Sequence, residues 1–253
     1  MIPISVEYPY MLFTRKAIGN TPNSWDELTE KQFVGISRVI LGAPVDYKFL
    51  SLLTGIRRTI LKRLSSFQLL QLSKLIDFIG TAGSSHYCFI ISELIYHSRV
   101  FIAPKPKLEG LTFSQFIFLD SFYNDFARLK SESYLNKFVA TLYLPYNEQF
   151  NNETIESRIQ TISQIPLDHR NAIALNYSLI IFWLQKAYPL IFPQTYDQDE
   201  KPEAPQPSNN SAWLKIFESL VGEDLINRDR YAQLPLHTVL KHMTKKYKEN
   251  ARQ

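Results

Sequence analysis

Apolar and polar residues recur with a helical period along most of the chain, most clearly over 112–193. From Thr112 to Lys130, the residues Phe113, Phe116, Ile117, Leu119, Phe122, Tyr123 and Phe126 repeat at three- and four-residue spacings. Gln115, Asp120, Asn124 and Asp125 fall between them, a pattern that predicts an amphipathic helix. Thr112 or Ser114 is placed to cap its start, because a side-chain oxygen there accepts a free amide of the first turn. A second helix, Ser133 to Leu144, carries Leu135, Phe138, Val139, Leu142 and Tyr143 and should end before Pro145. Glu153 to Ser163 reads as a short polar helix broken at Pro166. Leu167 to Tyr188 is then nearly continuous and apolar until Pro189 stops it. Its apolar centre is about ten residues, half of the roughly 20 that cross a bilayer, and polar residues flank it. That makes it the central buried helix of a bundle.

The pattern differs toward the N-terminus. Residues 1–18 alternate imperfectly around Pro3 and Pro9, which predicts an extended arm or edge strand, since proline donates nothing to a ladder. Thr29 with Gln32 matches a capping box, opening a helix from Glu30 to about Leu41 with Phe33, Ile36, Val39 and Ile40 inward. Gly42 and Pro44 end it. Further helices are expected at Asp46–Thr54 and, strongly amphipathic, at Ser66–Phe78. A flexible turn follows at 80–85. Tyr87 to Ala103 is rich in β-branched and aromatic residues, which favours a strand or hairpin.

Residues 194–211 combine Pro202, Pro205 and Pro207 with Asp197, Asp199, Glu200 and Glu203. Such a stretch buries too little surface to fold and reads as an acidic linker. It divides a 1–193 body from a 212–253 segment with helices at 212–221 and 235–247. The fold expected is therefore mainly α: a helical bundle, a small β element near 87–103 and an extended N-terminal arm.

Composition narrows the function classes. The 253 residues are 45% apolar, enough for a real core. Net charge is +4, and the excess looks evenly spread rather than striped. Cys88, the only cysteine, excludes an internal disulfide and Cys-rich zinc sites, and its apolar neighbours suggest a buried thiol. The N-terminal sequence lacks a signal-peptide pattern. His237 and His242 are five apart, off the i, i+4 face that zinc helices use, and no phosphate-cradling or nucleophile-elbow motif is present. The reading is a non-enzyme with no catalytic residue, metal or cofactor. Asp168, His169 and Arg170 are expected to cap the helix that follows them.

Two groups of residues remain as binding candidates. Arg57, Arg58, Lys62 and Arg63, and the tail Lys241, Lys245, Lys246, Lys248 and Arg252, are candidate contacts to phosphate or an acidic partner. Trp25, Phe122, Trp183 and Trp213 are candidate aromatic anchors for a protein partner. Each has a plainer reading, as solvated helix faces and as core.

The order of LNKFVATLYLP, an ESR-containing helix and IPLDHRNAIALNYSLIIFWLQKAYPLIFP resembles tail-assembly-chaperone-like proteins of tailed phages that infect Bacteroidetes. The matching features are the apolar segment Leu142 to Pro145, Arg158 in the next helix, and Pro166 opening a hydrophobic helix. WDELTEKQF and LEGLTFSQF add to the likeness, which covers about Trp25 to Pro193. The acidic linker and basic tail depart from that pattern. The resemblance implies an assembly or virion structural protein that binds a tape-measure-type or other tail protein in the host cytoplasm, with a homo-oligomer allowed and no membrane. The alternative is a nucleic-acid-binding accessory protein using the basic faces.

Overall fold

The computed structural model describes residues 1–79, 86–96, 98–192, 210–222 and 224–250. The 80–85 turn and nearly all of the 194–211 linker expected from sequence lie outside the described residues. The chain is mainly α-helical with small antiparallel sheets and divides into two compact units, Met1–His86 and Tyr87–Gln253.

The first unit opens with a hairpin, β1 (Ile2–Tyr10) and β2 (Phe13–Thr21), in register from Ile2 opposite Thr21 to Tyr10 opposite Phe13. The extended arm thus has a partner. A two-stranded sheet is all edge, which is why Pro3 and Pro9 are tolerated. Helices α1 (Glu30–Ile40), α2 (Tyr47–Thr54), α3 (Arg58–Leu61) and α4 (Ser66–Ser73) follow. The capping box at Thr29 forms as expected, with the Gln32 amide donating to the Thr29 hydroxyl and the Thr29 amide donating to the Gln32 side chain. Gly55, at φ 73°, takes the left-handed position that ends α2. Phe33, Ile36, Leu53, Ile56 and Leu61 form the core.

Three expectations fail in this unit. Ile40 is exposed, because α1 reaches its final turn there and only Phe33, Val34 and Ile36 keep to the buried stripe. The helix expected over Ser66–Phe78 is α-helical only to Ser73 and tightens to a 3-10 helix over Lys74–Ile79. Its Phe67 and Leu70 face solvent.

Gly19 shows how tightly β2 sits on α2. A Cβ at that position would lie 2.2 Å from the Thr54 carbonyl oxygen. Backbone cannot swing aside as a side-chain end can, so Gly19→Ala should destabilise the first unit by about 2 kcal/mol, the usual range for overpacking. Urea denaturation measures this, and an unchanged midpoint would show that the strand does not pack there.

The second unit contains a three-stranded sheet, β3 (Glu93–Tyr96), β4 (Arg99–Ile102) and β5 (Leu144–Pro145). The hairpin expected at 87–103 is the β3–β4 pair. Its helices are α5 (Phe113–Leu129), α6 (Glu132–Leu142), α7 (Ile155–Ile162), α8 (Leu167–Ala187), α9 (Asn210–Val221), α10 (Arg228–Ala232) and α11 (Leu236–Asn250). Thr112, not Ser114, caps α5, accepting from the Gln115 amide at 3.2 Å. α5 packs on α6, and α6 on α7 and α8, around Phe116, Leu135, Phe138, Leu142, Tyr143, Ile173, Tyr177 and Ile180. α9, α10 and α11 each pack against α5.

Candidate functional site

Four polar side chains, Gln115, Asp120, Arg158 and Arg170, are buried in the second unit, although the sequence pattern put the first two between apolar positions and Arg170 at a helix cap. Gln115 donates to the Thr141 carbonyl at 2.9 Å. Asp120, 8% exposed, holds three helices together. Its Oδ2 accepts from Trp213 Nε1 of α9 and from Asn124 one turn along α5, each at 2.9 Å. Its Oδ1 accepts from the Tyr177 hydroxyl of α8 at 3.4 Å. The Tyr177 ring meets Tyr123 at 4.9 Å and Phe138 at 5.1 Å. Burial raises the Asp120 carboxyl above its ordinary range against the opposing pull of these donors. Burial also pushes the Tyr177 and Tyr123 phenols up, which keeps them neutral donors at neutral pH.

A carboxyl whose folded-state pKa is raised binds its proton more tightly folded than unfolded. Its contribution is therefore most favourable below the ordinary value of about 3.9 and declines as pH rises from there through the raised value. Asp120→Asn carries no charge and should remove that decline. Unfolding free energies of the two proteins across mildly acidic to neutral pH test this: their difference should change with pH, and a constant difference would contradict the burial argument.

The other two buried groups are arginines. Arg158 Nε donates to the Ala140 carbonyl in the last turn of α6 at 2.9 Å, and Nη1 donates to Glu148 and Thr154, each at 2.7 Å. Arg170 Nε donates to the Ile165 carbonyl at 2.9 Å, Nη2 pairs with Glu132 at 2.7 Å, and Nη1 donates to Asn136. Arg170 was expected at a cap; the N-cap of α8 is instead Pro166, with no side-chain cap, and Arg170 ties α8 to α6. These contacts are structural, and they account for the Arg158 feature of the sequence pattern without a ligand.

The open chemistry lies elsewhere. α9 and α11 flank a groove of about 530 Å³ lined by Ile216, Leu220, Met243 and Tyr247, with Lys215, Lys246 and His242 among them. Both helices are amphipathic for a local reason. Trp213, Phe217 and Val221 of α9 and Leu236, Val239 and Leu240 of α11 are buried on the body of the unit. The next positions round each helix, Ile216, Leu220 and Tyr247, are left at the groove. Lys241, Lys245 and Lys248 are exposed on α11 beside it, with Lys245 ion-paired to Glu249 at 3.8 Å. Arg252 lies outside the described residues.

The remaining sequence candidates are dispersed. Trp25 is buried edge-on to Phe33 at 6.0 Å, and Trp213 is buried between Phe113 and Phe116, so both are packed as core. Phe122 is half-buried beside Phe118. Trp183 is half-buried near Tyr87 and His237. His237 is itself engaged, its Nδ1 2.8 Å from the Tyr188 hydroxyl and its Nε2 2.7 Å from the Lys107 carbonyl. Arg57, Arg58, Lys62 and Arg63 are exposed around α3. The four aromatic candidates do not converge on one site.

The charge is less even than it looks along the sequence. Ten basic and six acidic residues fall in Met1–His86, so that unit carries the whole net +4 and the remainder of the chain is balanced. Cys88 is half-buried rather than enclosed, since Tyr87 beside it is exposed. Among the described residues, no group of three or more His, Cys, Asp or Glu side chains is placed to hold a metal ion, and no helix is long and apolar enough to cross a membrane.

No protein-family model, curated protein or solved structure matches this chain.

Proposed function

We propose that the protein is a non-enzymatic assembly protein of a tailed bacteriophage, and that the α9–α11 groove receives an amphipathic helix of a tail protein of the tape-measure type. The groove carries this reading. It offers apolar side chains from two helices, the kind of surface on which an amphipathic helix seats its i, i+3, i+4 anchors in the helix-in-groove mode. Met243, largely buried where it lines the groove, has a flexible side chain that can adjust to a partner whose side chains vary along its length. Lys215 and Lys246 select for carboxylates on the flanks of the incoming helix. The likeness of Leu142–Pro145, Arg158 and Pro166 to the phage proteins supports a tail protein as the partner class. In this reading the protein works in the host bacterial cytoplasm while tails assemble.

The test is co-expression with tail proteins of such a phage, followed by pull-down with washes at low and high salt. A tail protein retained at high salt, and lost when Leu220 in the groove is replaced by aspartate, supports the proposal. Recovery of nucleic acid that high salt removes, with no protein partner, would favour the basic-face alternative, because phosphate contacts weaken steeply with salt.

A further inference from the structure

The tip of the β1–β2 hairpin has a composition that neither packing nor turn chemistry requires. Met11, Leu12 and Phe13 are 89%, 92% and 73% exposed, the most exposed apolar run among the described residues. Met11 holds φ at 53°, a left-handed conformation at a two-residue turn where glycine or asparagine is the relaxed choice. The sequence therefore keeps large apolar side chains in water on a strained turn, where small polar residues fold more easily. Strain and apolar exposure at one place mark a contact surface.

Cations sit directly behind this tip. The guanidinium carbons of Arg15 and Arg63 lie 4.1 Å and 5.3 Å from the centre of the Tyr10 ring. Neither arginine has a carboxylate partner among the described residues, whereas Lys16 is offset by Glu7 at 3.4 Å. Arg57, Arg58 and Lys62, in the same segment as Arg63, are exposed. They belong to the unit that carries the protein's net positive charge.

We infer that the hairpin tip is a peripheral membrane anchor, inserting Met11, Leu12 and Phe13 among the acyl chains of an anionic bilayer while Arg15 and Arg63 meet the lipid phosphates. Spacing supports this occupant. A strand advances about 3.3 Å per residue, so Arg15 lies roughly 10 Å behind Leu12. Interfacial insertion reaches about 5–10 Å, which brings the arginines to headgroup level when the tip is immersed. Tyr10, held by both arginines, occupies the boundary where an amphipathic ring is favoured. A nucleic acid would engage the cations but leave the three apolar side chains in water. The tip is an exposed turn at the end of a two-stranded hairpin rather than a groove between helices, so it does not serve the helix-binding role proposed above.

The experiment is co-sedimentation of the full chain with phosphatidylcholine vesicles and with vesicles that also contain phosphatidylserine. The wild type should bind only the anionic vesicles, and added salt should weaken it. Leu12→Asp and the double variant Arg15→Glu/Arg63→Glu should each bind about tenfold more weakly or worse, from lost apolar insertion and lost headgroup attraction respectively. Ile18→Asp, at an exposed position on β2 away from the tip, should bind as wild type, and circular dichroism checks that all variants fold. No vesicle binding, equal binding to neutral vesicles, or undiminished binding by Leu12→Asp would each overturn the inference. So would double-stranded DNA binding that the arginine variant loses while vesicle binding persists unchanged.

Discussion

Replacing Trp213 by alanine is expected to destabilise the second unit by about 4 kcal/mol, within the range for removing a buried indole. The ring packs edge-on against Phe116 at 5.0 Å and lies 5.4 Å from Phe192, so its loss opens a cavity between α5 and α9. The same change removes one of the donors to Asp120, leaving a buried carboxyl with less compensation for its desolvation. Since α9 meets the rest of the unit mainly through α5 and α10, its exposure should exceed the global loss. Hydrogen exchange should show α9 amides losing protection while α6 and α8 keep theirs. The groove would disappear with α9, so Trp213→Ala should also abolish partner binding without touching a groove residue. An unfolding midpoint within error of wild type would show that α9 is not held as described.

The second large effect is expected at Arg170. Truncation to alanine strands the Ile165 carbonyl and the Asn136 side chain in the core and removes the ion pair to Glu132. Breaking a buried, hydrogen-bonded charge from one side typically costs 3–5 kcal/mol, and about 3 kcal/mol is the appropriate figure because Glu132 itself is more than half exposed. For a protein of this size that corresponds to roughly 6–12 °C in Tm, measured by calorimetry. Arg170→Lys should recover little, since an ammonium cannot reproduce the fork that reaches three partners on two elements. Full recovery by lysine would mean that charge alone, not geometry, matters there.

Both positions show what could be read from sequence and what could not. Element boundaries were legible because they depend on neighbours in the chain: the Thr29–Gln32 capping box, the Thr112 cap, Gly55 after α2 and Pro189 after α8 all act locally. The buried charges depend on helices far away in sequence. Asp120 lies on the seam Phe113, Phe116, Asp120, Tyr123, and Arg170 on the seam Arg170, Ile173, Tyr177, Ile180, Leu184, at alternating three- and four-residue steps. The spacing signal was present, but a charged residue on a stripe declares its partner only once Trp213 or Asn136 is brought beside it. The hairpin pairing was hidden for a similar reason. Prolines and an apolar turn obscured β1 and β2, whose register rests on cross-strand contacts rather than on a strong turn signal. The groove was half legible: the basic end of α11 stood out in sequence, whereas the apolar residues between those lysines gained meaning only when α9 was placed opposite them.

The proposal that the α9–α11 groove is the partner site can be tested most directly by hydrogen exchange on the complex with a co-expressed tail protein, compared with the protein alone. Added protection should concentrate on 215–220 of α9 and 242–250 of α11, and Leu220→Asp should erase it. Protection confined to other elements, or unchanged by Leu220→Asp, would contradict the groove as the binding site.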